Sequence, residues 1–319
     1  MKMRSLRIGS YLLAIAISYP IFGVCQQTTS PLQEARSLLN SGKLSESEAV
    51  LRTYLDSSQA NAEAHFLLGY VYFRDKKAKE SLAEYTAGAK LKRPRASDFK
   101  VIASDYVLLD AFEDADKWFS EVVSETPEDA DAWYLLGRTK YNENDMAGAV
   151  KSFERALTLR PKYVEAENNL GLSWKEQNEQ EKAQAAFQNA IDWQGDAQVD
   201  AQPFLNLGTL LADQGDWTKA IPYLTKADAL SPHNPTIHEK LGDVYSAQQN
   251  LPKAQSEFEQ AVASAPNTSA LHFKLGQILR KEGLRDRAEK EFQICAKLNS
   301  GHSSGKTPNA PATDHSEPH

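Results

Sequence analysis

The sequence predicts an all-α solenoid, a stack of two-helix units joined end to end. Three observations predict this fold. Small residues return at three fixed positions about every 34 residues, a large apolar side chain returns at a fourth, and prolines return near the end of most units. Such a period is typical of arrays in which each unit buries the hydrophobic face of its neighbour. We therefore expect one continuous array within the 319 residues rather than two separate domains.

The first fixed position lies in the middle of a helical pattern. In residues 134–141, YLLGRTKY, Gly137 interrupts the pattern at a cost of about 1 kcal/mol relative to alanine. Counting Ala130 as position 1, this glycine is at position 8. Position 8 holds Gly69, Ala103, Gly137, Gly171, Gly208, Gly242 and Gly276. The recurrence of glycine or alanine at this position indicates a place where larger side chains do not fit.

Three further positions return in the second half of each unit. Position 20 holds Ser81, Ala115, Ala149, Ala183, Ala220, Ala254 and Ala288. Position 24 holds Tyr85, Phe119, Phe153, Phe187, Leu224, Phe258 and Phe292, and position 27 holds Gly88, Val122, Ala156, Ala190, Ala227, Ala261 and Cys295. We expect the small residues to let two helices approach closely, with the side chain at position 24 filling the gap beside them. A bulky residue at the small positions would cost roughly 1–3 kcal/mol.

Each unit is expected to contain two helices. Apolar spacing predicts the first over positions 2–14 and the second up to about position 30. Proline at position 32, as at Pro127 and Pro161, ends the second helix, whereas Pro222 lies deeper in its helix and is expected to bend it slightly. The seven clear repeats, numbered two to eight, span 62–95, 96–129, 130–163, 164–200, 201–234, 235–268 and 269–302. Repeat five is three residues longer, and its loop at 193–200 is expected to shift the stack locally.

This pattern closely resembles the tetratricopeptide repeat family over about residues 62–302. Repeat four carries the matching residues Trp133, Leu136, Gly137, Ala149, Phe153, Ala156 and Pro161. The resemblance implies a right-handed superhelix whose first helices line a concave groove. A degenerate first repeat is expected at 28–61, since a terminal repeat has one face in water. It has Gly42 in its turn and Leu38, Leu51 and Leu55 as core, but is interpreted as lacking the small-residue pattern.

The two ends of the chain are expected to lie outside the array. Residues 1–25 combine three basic residues, a mostly apolar run and small residues before Gln26, which is the layout of a signal peptide. The protein is therefore expected to be exported, and periplasmic or secreted. Two alternatives stay open, a membrane anchor through residues 8–24 and a lipidated Cys25. The proline- and serine-rich tail at 303–319 is expected to be disordered.

No group of residues points to catalysis, a metal or a cofactor, and the array leaves no room for a catalytic domain. His65, His238 and His272 share position 4 of separate repeats and are interpreted as packing residues. Cys295 is interpreted as a buried core thiol. The formal net charge of −7 argues against nucleic acid, which requires a basic face. The sequence thus predicts a non-enzymatic binding protein without cofactors.

The family resemblance also assigns a groove. In tetratricopeptide repeats, positions 2, 5, 6, 9, 12 and 13 tend to face the concave side. Carried over, they give these candidate peptide-binding residues: Phe66, Tyr70, Phe73, Arg74, Lys100, Tyr134, Arg138, Tyr141, Asn169, Lys175 and Asn206. Repeats seven and eight add the charged residues Glu239, Asp243, Lys274, Arg280 and Lys281. Rings supply contact area and arginines pair with carboxylates, so an extended protein segment with acidic or C-terminal carboxylate groups is the preferred partner.

Four other interpretations of the groove and the chain ends stay open. The candidate residues form an ordinary solvent-exposed face in the first of them. Asn169 and Asn206 suggest two rungs of the asparagine ladder with which sugar-transferring members of the family grip peptide backbone. Apolar Val107 and Leu108 favour an envelope chaperone that holds unfolded clients. The uncapped C-terminal end favours self-assembly into a homo-oligomer.

Overall fold

The part of the chain that the structure describes contains sixteen α-helices. The computed structural model describes residues 30–57, 61–195 and 199–303, and these ranges contain no strand. Repeats one to four contain α1 Pro31–Asn40, α2 Leu44–Ser57, α3 Ala62–Arg74, α4 Ala78–Ala89, α5 Ala96–Leu108, α6 Phe112–Glu125, α7 Ala130–Asn142 and α8 Met146–Leu159. Repeats five to eight contain α9 Val164–Glu176, α10 Gln180–Asp192, α11 Ala201–Asp213, α12 Trp217–Leu230, α13 Pro235–Ala247, α14 Leu251–Ser264, α15 Ser269–Lys281 and α16 Arg285–Ser303. The prediction of an all-α solenoid is confirmed.

Packing is confined to neighbours along the chain. Each helix packs most extensively against its partner in the same repeat and then against the adjoining repeat. First helices of successive repeats also touch, as α3 does with α5 and α7 with α9. This is the contact pattern of a quasi-one-dimensional stack, in which each hairpin covers the next. The first helices therefore lie side by side and form one continuous face.

The ring at position 24 explains the glycine at position 8. A Cβ atom built on Gly137 would lie 2.6 Å from Cε1 of Phe153, and one on Gly171 would lie 2.6 Å from Cε1 of Phe187. Both rings are fully buried. The close contact at the glycine is thus made by the aromatic ring of the partner helix rather than by its backbone. A methyl group at either glycine would therefore require that ring to shift.

The turn inside each repeat has one conformation throughout the array. Position 15 has a positive φ, between 56° and 82°, at Gly42, Lys76, Asp110, Asn144, Asn178, Gly215, Gln249 and Gly283. The following N–H donates to the carbonyl five residues back, as Lys77 does to Tyr72 at 2.9 Å. This pairing is a Schellman cap, which satisfies carbonyls at the end of the first helix. Five of the eight residues at position 15 are not glycine, so the sequence alone does not reveal the turn.

The first repeat departs from its sequence interpretation. Ala35 and Ser47, at positions 8 and 20, are both fully buried, so the expectation that this repeat lacks small residues was wrong there. The Ser47 hydroxyl donates to the Ala35 carbonyl at 2.9 Å, which holds the two helices together. Leu39 is buried while Leu38 is only half-buried, because the helix turns Leu39 toward α2 and α3. Leu51 and Leu55 belong to the core as expected.

The last helix is less covered than its equivalents. Cys295 is a free thiol of intermediate exposure, so its interpretation as a buried core thiol was wrong. Within the described residues no further helix packs over α16, which leaves Ile294 39% exposed. The expected signal segment at 1–25 lies outside the described residues, as does the predicted tail at 303–319 except for Ser303, which ends α16 instead of beginning a disordered tail. Among the helices that are described, none is long and apolar enough to cross a membrane.

Candidate functional site

A cleft of about 930 Å³ opens on the face of the first helices, over repeats two and three. Four predicted site residues line it together, Phe66, Tyr70 and Phe73 from α3 and Lys100 from α5. The other lining residues are Arg36, Glu63, Leu67, Tyr85, Lys92, Arg93, Arg95, Ala96, Ser97, Asp98, Val101, Ser104, Val122, Thr126, Asp129 and Leu135. This volume lies within the range of ordinary ligand pockets.

The floor of the cleft is apolar and depends on one glycine. The Phe66 ring stacks on the Tyr85 ring, with centroids 5.8 Å apart and an interplanar angle of 21°. A Cβ atom on Gly88 would lie 2.5 Å from Cε1 of Phe66, so glycine at position 27 of repeat two lets that ring lie against α4. Tyr85 is only 2% exposed, and burial raises the pKa of its hydroxyl far above the ordinary value.

The mouth of the cleft carries five cationic side chains, of which three are paired. Arg36 pairs with Glu63 at 2.5 Å, and Lys100 pairs with Asp129 at 2.6 Å. Arg93 pairs with Glu121 and Glu125 of α6. The side chains of Lys92 and Arg95 have no ion-pair partner among the described residues. Sequence reasoning missed these two residues because it considered the first helices only, whereas both lie in the α4–α5 connection.

Three more predicted residues lie on α7, beside the cleft rather than in it. The Tyr134 ring packs on Tyr163 with centroids 5.1 Å apart, and the Arg138 guanidinium lies 5.8 Å from the Tyr134 centroid. Burial raises the pKa of Tyr134, which the Arg138 charge partly opposes. Tyr141 is half-buried, and burial raises the pKa of its hydroxyl too. This part of the face offers tilted, packed rings and one exposed guanidinium.

The remaining predicted residues do not join the cleft. The Asn169 amide donates to the Glu165 carbonyl at 2.7 Å, within its own helix. The Asn206 amide donates to Asn168 at 2.9 Å. Lys175 pairs with an aspartate of α11, Asp213, at 2.8 Å. Exposed Arg74 lies at the end of α3 and is not among the lining residues of the cleft.

Two charged groups that seemed separate in the sequence form one cluster. The Lys274 ammonium of repeat eight lies 2.7 Å from both Glu239 and Asp243 of repeat seven. Burial lowers the pKa of Lys274, but hydrogen bonds to Asp243 and Glu239 outweigh it and leave that pKa above the ordinary value. Lys274 is therefore neutralised within the chain, whereas the exposed side chains of Arg280 and Lys281 have no ion-pair partner among the described residues.

The buried histidines do more than pack. Nε2 of His238 lies 2.9 Å from the Pro232 carbonyl oxygen, and Nδ1 lies 2.9 Å from a Glu257 carboxylate oxygen. Burial lowers the pKa of His238, but the contacts with Pro232, Glu257 and Asp228 together raise it above its ordinary value. His272 makes the same contacts with Pro266 and Glu291, and His65 lies 2.7 Å from Glu84.

The sequence held a signal for these contacts that spacing arguments missed. Glutamate stands at position 23 only in the three repeats that have histidine at position 4, and elsewhere position 23 holds Trp118, Ser152, Ala186 and Tyr223. Trp133 takes the histidine's place in repeat four, where its indole N–H donates to the Pro127 carbonyl at 2.9 Å. In repeats four, seven and eight, position 4 thus ties the first helix to the proline that follows the last helix of the preceding repeat. The described residues contain no group of three or more side chains suited to a metal.

The fold defines the class of protein, an α-helical repeat solenoid with a continuous face of first helices. Models of the tetratricopeptide repeat match residues 32–96, 130–163, 168–235 and 211–278, which together cover about two thirds of the chain. The chain belongs to the tetratricopeptide repeat family. Members of this family bind proteins or peptides through a fold that is generally non-catalytic, so the fold supports a protein–protein interaction scaffold.

Two curated relatives match part of the chain. Protein O-mannosyl-transferase TMTC1 of Mus musculus is 28% identical over 142 residues, covering 43% of this chain and 15% of the relative. Its Homo sapiens counterpart is 24% identical over 188 residues, covering 58% of this chain and 21% of the relative. The chain therefore spans only about a fifth or less of the length of these transferases.

Solved structures show the same fold. A tetratricopeptide repeat protein from Parabacteroides merdae matches with a TM-score of 0.63 and 19% identity, over 78% of this chain and 97% of that one. The APC/C hetero-tetramer Cut9–Hcn1 matches with a TM-score of 0.59 and 15% identity, over 88% of this chain and 55% of that one. At these identities the likeness shows the fold alone.

Proposed function

We propose that the protein is a non-enzymatic scaffold that holds a segment of a partner protein on the concave face of repeats two to four. One observation carries this proposal: the cleft and the adjoining face of α7 combine aromatic rings with cationic side chains that have no acidic partner among the described residues. Rings and guanidinium groups are the side chains that most often dominate binding energy at protein interfaces.

The partner segment is proposed to be extended and acidic. Lys92, Arg95 and Arg138 leave three cationic groups available along one face of a protein whose formal net charge is −7. Such a local concentration of positive charge steers acidic partners toward it and repels basic ones. A carboxylate satisfies a guanidinium through two parallel hydrogen bonds, which fixes orientation as well as affinity.

The place of action is proposed to be outside the cytoplasm. Residues 1–25 have the charge and apolar pattern of a signal peptide, which is the support for export. Fractionation of cells that produce the full chain, followed by mass measurement of the mature protein, tests this point. Mass loss corresponding to residues 1–25 is the expected result, and an intact cytoplasmic chain would contradict it.

The binding proposal is tested by removing three groove side chains together, Tyr70→Ala, Tyr134→Ala and Arg138→Gln. After crosslinking and affinity purification from the native host, the triple variant is expected to have lost the partner that the wild-type chain retains. The matched control, Phe273→Ala with Arg280→Gln, removes a ring and a charge from groove positions of repeat eight. Equal recovery of the same partner by wild type and triple variant would contradict the proposal.

A holdase is the second candidate function. Leu108 is 51% exposed at the end of α5, and Leu109 beside it is 37% exposed. Exposed apolar side chains of this kind bind unfolded chains without selecting a sequence. A heat-unfolded, unrelated enzyme supplies the client, and its light scattering is followed with and without the protein. Suppressed scattering that is lost in Leu108→Ser supports the holdase, while binding to one partner alone excludes it.

A further inference from the structure

We infer that the cleft between α3 and α5 recognises a bulky apolar side chain flanked by an acidic residue, with Lys92 and Arg95 as the residues that hold the carboxylate. This inference rests on the proposed function, since it specifies the part of the partner that the groove holds. It names two residues outside the first helices as determinants of specificity.

The floor of the cleft accepts an apolar side chain. Leu67 and Tyr85 are 9% and 2% exposed, and Val122 of α6 is also buried, so the deepest atoms are nearly excluded from water. Tyr70 and Phe73 stand along the side of the cleft with ring centroids 6.1 Å apart. Burial of an aromatic or large aliphatic group against such walls is favourable in proportion to the apolar area covered.

The charges at the mouth select an acidic neighbour for that side chain. The carboxylates in the lining are largely committed: Glu63 and Asp129 pair with Arg36 and Lys100, and Asp98 accepts the backbone N–H of Arg95 at 2.8 Å. This last bond fixes the backbone of Arg95 at the start of α5 while its guanidinium stays exposed. The mouth therefore offers two cationic groups without an acidic partner, against one carboxylate, Asp98, that no cation of the lining pairs. A basic segment would face repulsion at the same place.

Gly88 keeps the cleft open. Its missing side chain is the space into which Phe66 retracts, and the ring would have to move toward the cleft if a methyl group stood there. No other clear repeat has glycine at position 27, and each instead has alanine, valine or cysteine. The cleft is thus built by a local sequence choice of repeat two, and is not a general property of the array.

The experiment begins with a random twelve-residue peptide library on phage, panned against the full chain. Enriched peptides are expected to share an aromatic or large aliphatic residue with an acidic residue within two positions of it. The most enriched peptide is then synthesised with fluorescein, and its affinity is measured by fluorescence anisotropy. Lys92→Gln with Arg95→Gln is expected to weaken binding by about tenfold or more, because two charge-assisted contacts are lost.

Two comparisons protect this result from trivial causes. Lys79→Gln with Lys90→Gln removes the same charge from exposed residues of the same repeat that do not line the cleft. A change below about twofold is expected, since exposed charges that do not contact the ligand are largely screened. Gly88→Ala is expected to weaken binding as well, because it pushes Phe66 into the cleft without touching the ligand. Circular dichroism of each variant verifies that the helices are retained.

The contrary outcomes separate this inference from the proposed function. Enrichment of basic peptides, failure to enrich any peptide, or unchanged affinity in the Lys92→Gln/Arg95→Gln variant overturns the inference. If the partner captured by crosslinking is lost in the Tyr70/Tyr134/Arg138 variant but kept in the Lys92/Arg95 variant, the scaffold function stands and the assignment of the cleft fails. If the partner is retained by both variants, both the scaffold function and the assignment of the cleft are contradicted.

Discussion

The face of the first helices in repeats two to four and the same face in repeats six to eight are built from the same positions of the repeat, yet different side chains stay available on each. In the first region, rings line a cleft and Lys92 and Arg95 have no acidic partner among the described residues. In the second, Lys274 is held by Glu239 and Asp243, and the cations without an acidic partner are Arg280 and Lys281 at the end of α15. The comparison teaches that the solenoid decides where side chains point, while pairing between repeats decides what remains for a partner.

The two regions should have cores of the same kind although their faces differ. The mutations with the largest expected effect on stability test this. Phe153 of repeat four and Phe258 of repeat seven are each buried against a position-8 glycine. Phe153→Ala and Phe258→Ala are each expected to lower the free energy of unfolding by about 3–5 kcal/mol, because a buried ring is lost and a cavity remains. Urea unfolding followed by circular dichroism measures both. Strongly unequal losses would show that the cores differ as well as the faces.

The first region contains a buried carboxyl group that the second lacks. Asp105 of α5 is fully buried and neither carboxylate oxygen has a hydrogen-bond partner in the described structure. Burial raises the pKa of Asp105 to about 6, which the neighbouring Ser81 hydroxyl only partly opposes. Because the folded state holds this proton more tightly than the unfolded state, stability should increase as the pH falls from about 6 to 4.

Replacing that carboxyl group should remove the pH dependence and stabilise the fold. Val71 and Val244 occupy the same position 10 in other repeats, so Asp105→Val keeps the packing type. We expect a gain of about 3 kcal/mol at pH 7, from the shift of about two pH units in the carboxyl pKa. Thr139→Val, at position 10 of repeat four, is the control without a titrating group. An unchanged pH profile in Asp105→Val would refute this account.

A smaller pH effect of the same sign is expected in the second region. The pKa of His238 is raised, so its contacts with Pro232 and Glu257 contribute stability that is fully present below the unfolded pKa and is lost as the pH rises through the folded pKa. His238→Trp copies Trp133 and should keep the bond to the proline carbonyl without titrating. Thermal unfolding of the wild-type chain and of His238→Trp is compared between pH 6 and pH 8, and the wild type is expected to lose more stability over this range. Substitution of the exposed His233, as His233→Asn, is the control.

The inner turns should respond alike in both regions, with the smallest effect. Lys76 and Gln249 have φ of 59°, a conformation that glycine adopts at lower cost. Lys76→Gly and Gln249→Gly are each expected to stabilise the array by about 0.5–1 kcal/mol, since relief of strain outweighs added flexibility of the unfolded chain. Lys79→Gly inside α4 is expected to do the reverse, by about 1 kcal/mol. Differential scanning calorimetry gives the sign, and destabilisation by Gln249→Gly would contradict the strain argument.

The fold could be predicted from the sequence because small residues recur at the same positions of each repeat and so reveal its period. Gly137 and Ala149 recur wherever a ring must fit, and that pattern needs no knowledge of distant contacts. Residues of the cleft such as Phe66 and Tyr70 followed from the family's groove positions. The availability of each charge did not follow, because Lys175 pairs with Asp213 thirty-eight positions away and Lys92 lies outside the first helices. Pairing depends on how repeats stack, which spacing along one chain does not encode.

The restriction of contacts to adjoining hairpins also sets how the molecule answers to force. Since no described helix is held mainly by one far away in sequence, no extensive helix contact within the described residues joins the two ends of the stack. When the two ends of the stack are pulled apart, small forces are expected to bend each junction between repeats slightly. Larger forces are expected to unfold the helical hairpins one at a time. A partner bound to the array would therefore be held by an elastic support that deforms under load, and not by a rigid one.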